Sequence, residues 1–196
     1  MDNKTGKTVT LVIAIVLLIP ALLWSMRLVW PYIGIDWKET FYPASRAVLQ
    51  GKSPYIVPTF RNVPWTILPL LPFALLPEDI GGMILTLLSL IVYAWTAYCL
   101  KASRVGLIAF LLSPPVVYGM RMLNVDVFAL LGFVLPAPVG LFFVVIKPQM
   151  GIAMILFWFV EAWREGGTNS VLRTFAPVTA ALGLSFILFG NWPAGR

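Results

Sequence analysis

Between Thr8 and Gly190 the chain is a succession of apolar runs, each near the length of a bilayer crossing and separated only by short polar or proline-rich joints. That pattern confines it to a polytopic membrane protein. Hydrophobic residues fill 60% of its 196 positions and charged residues only 11%, so a water-soluble globule would have to expose far more apolar surface than such proteins carry. The reading is one integral-membrane unit, an all-α transmembrane helical bundle.

The runs place spans at about 8–30, 64–77, 80–100, 104–120, 125–146, 149–163 and 174–190. The first follows Lys4 and Lys7, stays free of charge until Arg27, and has the character of a retained signal anchor. A polar loop, 31–63, follows and falls on the outer side if the first span runs outward. The segment 64–77 is too short for a straight crossing and holds Pro64, Pro69, Pro72 and Pro77, so it is kinked, tilted or re-entrant. The run 125–146 has Pro136 and Pro138 at its centre and reads either as one crossing or as a hairpin of half-helices. Non-helical backbone at that depth needs protein or a wet cavity around it. If every span crosses, Lys101 and Arg104 fall outside, against the positive-inside tendency; a re-entrant second segment puts them inside. The net charge of +6 is read as membrane anchoring rather than as a nucleic-acid footprint.

With no histidine, the chain has no His-ligated haem or zinc site and no Ser-His pair, and its single cysteine, Cys99, cannot form an intrachain disulfide or hold an iron-sulfur cluster. No metal or cofactor is expected. Acid-base chemistry falls to carboxylates. Asp36 opens the outer loop, ahead of a short helix for which Thr40 suits the N-cap and Gly51 the C-terminal cap. Phe41, Ala44, Ser45, Val48 and Leu49 share one face of that helix, as in a helix lying in the membrane interface. Asp36 there is either a base for an acceptor hydroxyl or a solvated acid beside Lys38. Asn124 and Asp126 either line a cavity or cap a helix. The tryptophans gather near span ends, as an interfacial belt does.

The succession IDWKETFYPASRAVLQGKSPY, NVPWTILPLLPFALLP, MLNVDVFALLG and IKPQMGIAMILFWFVEAWREGG resembles the GT-C superfamily of membrane glycosyltransferases. The likeness is to the amino-terminal half of its bacterial polyprenol-phosphate-mannose-dependent mannosyltransferases. It rests on Asp36 early in the first loop, on Gly51-Lys52-Ser53-Pro54-Tyr55, on Leu123-Asn124-Val125-Asp126 and on Lys147-Pro148-Gln149. The resemblance implies a GT-C-like bundle in a bacterial inner membrane, moving a mannose-like hexose from a polyprenyl-phosphate donor to an acceptor at the outer face. Asp36 would be the general base. Lys147, Gln149, Asn124, Asp126 and Tyr55 of those motifs would bind donor or acceptor, and Trp37, Arg121 and Arg61 are binding candidates from position alone; of the candidate partners of the donor phosphate, Lys147, Arg121, Arg61 and Arg27, only Lys147 has motif support. Snorkelling or helix-end anchoring accounts for Arg27 and Arg61 equally well, and Trp37 could stack on a sugar. Full GT-C enzymes are longer and have more membrane helices. A noncatalytic membrane subunit working with other membrane chains is therefore the rival reading, and a transporter the third.

Overall fold

The computed structural model describes residues 33–191, and among them every regular element is helical. The first expected span, 8–30, lies outside the described residues together with Arg27. A π-helical turn, Trp37–Phe41, runs into α1 (Tyr42–Leu49); a 3₁₀ segment, Pro64–Leu70, runs into α2 (Leu71–Ala74). Then come α3 (Glu78–Cys99), α4 (Arg104–Leu111), α5 (Pro114–Met122), α6 (Asp126–Gly132), α7 (Ala137–Val144) and α8 (Pro148–Phe189). Two helices, α3 and α8, are long and apolar enough to cross a membrane, and α4 with α5, bent by 48°, makes a third if taken as one span.

Prolines set most of the breaks. Pro114 and Pro115 supply no N–H and push Ser113 into the extended region, at φ −67° and ψ 146°, which separates α4 from α5. Pro136, itself extended at φ −54° and ψ 138°, parts α6 from α7, with Pro138 in the first turn of α7, so the run 125–146 is two half-helices packed against each other. Pro69 inside the 3₁₀ segment removes a donor that a longer α-helix would need. In α8 the backbone leaves helical geometry at Gly166 and Gly167, where Gly167 takes φ +56°. The rings of Phe159 and Phe175 then lie 6.1 Å apart. Along one straight helix those residues would be roughly 24 Å apart. The two limbs of α8, 148–165 and 168–189, therefore fold back on each other.

A few contacts fix which ends lie together. The Trp37 indole donates to the Glu78 carbonyl at 2.9 Å, and Arg46 donates to the Ala74 carbonyl at 3.3 Å. Thus the segment 64–74 returns to the end of the bundle it started from. The Gly34 amide donates to the Arg121 carbonyl at 2.7 Å, bringing the end of α5 to the same place. Asp126 and Lys147 form an ion pair, which joins the start of α6 to the start of α8. Tyr55 stacks edge-on against Phe189, 5.4 Å between centroids, and so adds the end of α8. From this end α3 leads away to the turn at Lys101, the turn that precedes α4.

The main core gathers Trp37, Ile67, Leu70, Met83, Val125 and Val127, and a smaller one joins Leu141 and Val144 of α7 to Trp158 and Val178 of α8. Two details differ from the sequence expectation. Thr40 caps nothing, because helical backbone already begins before Trp37 and Thr40 sits within the π-turn. Gly51 does follow α1 with φ +72°, and the Lys52 amide closes on the Ala47 carbonyl at 2.9 Å. The apolar face of α1 is covered by protein: Phe41, Ala44, Ser45 and Ala47 are all buried, while Leu49 is exposed.

Candidate functional site

The joined end of the bundle collects most of the polar groups singled out in the sequence. Lys147 is forced out of helical geometry by Pro148, with φ −133° and ψ 78°, and its backbone carbonyl is held by the amides of Met150 and Gly151. Its side chain reaches Asp126 in the first turn of α6. Asp126 is backed by Gly119 of α5, where an added Cβ would stand 3.6 Å from the Asp126 Oδ2 and 3.1 Å from the Tyr93 hydroxyl. Asn124 accepts from the Val125 amide at 2.7 Å through its side-chain oxygen, while Val125 itself stands at the N-cap of α6 and no side chain caps that helix.

On the other side of Lys147 opens a cleft of about 540 Å³. Its polar rim is Arg61, Asn62, Lys147 and Gln149; its walls are Val63, Val145, Ile146 and Leu182. The Asn62 side-chain amide donates to the Ile146 carbonyl at 3.1 Å and ties the loop before Pro64 to the end of α7. Two cations over apolar walls suit an anionic head group with a hydrocarbon tail.

Asp36 stands beside this arrangement, half-buried at the entry to the π-turn, the kind of helical irregularity that often accompanies a functional residue. Burial raises its pKa above the ordinary carboxylate value; the positive charge of Lys147 pulls it down, and Asp126 and Glu39 push it up. Asp36 is not a wall of the cleft, but its proton affinity is set in part by the lysine that is.

The remaining expected residues are distributed less simply. Arg121 is exposed at the end of α5, and its backbone, rather than its side chain, makes the contact to Gly34. Tyr55 lies between Phe60 and Phe189 and donates its hydroxyl to the Asn62 carbonyl at 2.9 Å; burial raises its pKa, so it remains a donor. Trp37 requires a correction. It is 0% exposed, with its indole N–H used by Glu78, and it offers no face to a sugar. Its place beside Asp36 suggested a ligand contact, but in helical backbone neighbouring side chains point apart, and Trp37 points into the core. Sequence reasoning passed over Asn62, Tyr93 and Gly119. Asn62 only opens the quoted stretch NVPWTILPLLPFALLP, and nothing local marks the other two.

Among the described residues no group of three or more His, Cys, Asp or Glu side chains is placed to hold a metal ion. No family model matches the chain, and no curated protein or solved structure matches it either. Fold and site together define a helical membrane protein with a charged cleft at one end of its bundle.

Proposed function

We propose that the chain is a membrane hexosyltransferase that moves a mannose-like sugar from a polyprenyl-phosphate donor to an acceptor hydroxyl at the outer face of a bacterial inner membrane. The observation that carries this reading is the cleft in which Lys147 and Arg61 stand over apolar walls, with Asp36 under the influence of the same lysine. An amphipathic site of that kind matches a phosphate on an isoprenoid chain, whose charge near lipid needs a cationic partner. In the proposed reaction Asp36, as the carboxylate, takes the proton from the acceptor hydroxyl. The acceptor oxygen bonds to the anomeric carbon while the bond from that carbon to the phosphate oxygen breaks, and the polyprenyl phosphate leaves as an anion held by Lys147 and Arg61.

In this reading Lys101 and Arg104 lie on the cytoplasmic side and the cleft outside, the orientation that a re-entrant 64–77 segment gives when the first span runs outward. The test is transfer of labelled mannose from polyprenyl-phosphate mannose by the purified protein in nanodiscs. Asp36→Asn should lower the rate by about 10²- to 10⁴-fold while the protein stays assembled. An unchanged rate would remove Asp36 as the base. No transfer by the wild type, together with stable copurification of other membrane chains, would replace this reading by that of a noncatalytic subunit.

A further inference from the structure

Lys147 has two claims on it, for it lines the cleft with Arg61 and Gln149 and also pairs with Asp126. Of the two partners only the lysine has freedom to move. Asp126 is set in the first turn of α6, against Gly119 and close to Tyr93. The Lys147 backbone is fixed by Pro148 and by the bonds to its carbonyl, but its side chain is an ammonium on a flexible four-carbon stem, 18% exposed. Two acids, Asp126 and Asp36, and one further cation, Arg61, stand around it. An anion entering the cleft must therefore draw Lys147 from a carboxylate that cannot follow, and it leaves that carboxylate in a partly desolvated place.

We infer that Asp126 is a positioning residue that holds Lys147 at the cleft until an arriving phosphoryl group takes it over, so that the ion pair and the ligand compete for one cation. The inference rests on the reading that the cleft receives a lipid-phosphate head group. Competition for a shared partner is a negative coupling between two sites, and by linkage each weakens the other to the same degree. A neutral sugar would not open the pair. Discharge of the phosphate with the departing lipid lets Lys147 return, which links release of the leaving group to closure of the ion pair.

The experiment is a double-mutant cycle on the full chain in phosphatidylcholine nanodiscs, with farnesyl phosphate as the probe and unfolding temperature recorded for each variant. Asp126→Asn should bind the probe about tenfold more tightly than the wild type, within the range of a single coupling. In the Lys147→Gln background the same change should have no effect. Equal tightening in both backgrounds means simple repulsion through space and overturns the inference. Weaker binding by a well-folded Asp126→Asn overturns it as well. If Asp126→Asn does not assemble, Asp126→Ser carries the same cycle with a smaller side chain. Absence of farnesyl phosphate binding by the wild type overturns the cleft reading and this inference together, whereas binding with no coupling overturns the inference alone.

Discussion

The indole of Trp37 donates to the backbone carbonyl of Glu78 at 2.9 Å and thereby pins the π-turn that leads into α1 to the entry of α3. Everything between the two residues, including the proline-rich 64–74 segment, forms an excursion that begins and ends at one end of the bundle.

Removal of this anchor should be costly to the fold and nearly neutral to ligand contact. Trp37→Ala is expected to destabilise by about 3 to 5 kcal/mol, the scale for truncating a buried aromatic. Trp37→Phe should retain most of the packing and lose the hydrogen bond, at about 1 kcal/mol. Unfolding in detergent, followed by tryptophan fluorescence, reads both. A large rise in KM for the proposed sugar donor with unchanged stability would restore the stacking role that burial denies.

The excursion also leaves Lys52 and Ala102 at opposite ends of α3, which the proposed orientation assigns to opposite sides of the membrane. In a Cys99→Ser background, Lys52→Cys should react in intact cells with a maleimide that does not cross membranes, and Ala102→Cys should react only after permeabilisation. Both positions are exposed, so failure to label is not a matter of burial. Labelling of Ala102→Cys from outside would mean that α3 runs the other way.

The raised pKa of Asp36 gives a stability prediction whose sign is unusual for a carboxylate. Because the folded state holds the proton more tightly than the unfolded chain, this group favours folding below its unfolded pKa and loses that contribution as pH rises through its folded pKa. Asp36→Asn should therefore be at least as stable as the wild type at neutral pH, and the difference should vanish in acid. Thermal unfolding across pH measures it; a variant less stable at neutral pH than in acid, relative to wild type, contradicts the assignment.

The same group predicts a kinetic shift. If Asp36 acts as a base, transfer should rise with pH along a limb set by its raised pKa. Lys147→Gln removes the charge that lowers this pKa, so the limb should move to higher pH in that variant. A limb that stays in place separates Lys147 from the base.

Close packing in the hairpin gives a last test. At Gly140 an added Cβ would meet the Gly132 carbonyl oxygen at 2.5 Å and the Trp158 ring at 2.7 Å. Gly140→Ala should cost about 1 to 3 kcal/mol by forcing α6, α7 and α8 apart. An unfolding temperature equal to that of the wild type would show that the three helices have room to adjust.

What could be read from the sequence was mostly punctuation. Pro136 with Pro138, and Gly51, act on their own neighbours, and the chain bends or ends a helix at each, whereas the break at Pro114 and Pro115 falls inside the run 104–120 that reads as one span in the sequence. The limbs of α8 begin and end close to the runs 149–163 and 174–190, because paired glycines and flanking charges mark the reversal locally. The Asp126–Lys147 pair was not legible, since it exists only once the hairpin between them closes. Nor was the burial of Trp37, which depends on where the 64–74 segment comes back. Three cleft residues, Arg61, Lys147 and Gln149, were singled out by charge and motif, but the apolar walls that give the cleft its character come from three separate segments.

The 48° bend between α4 and α5 works as a lever with a long arm. With nine residues in α5, straightening it would swing the far tip by roughly 11 Å, taking 1.5 Å of rise per residue. That tip carries Arg121 and the grip on Gly34, and just ahead of it sits the glycine behind Asp126. The proline pair, at the opposite end of α5 from Arg121, thus sets the elevation at which those groups meet.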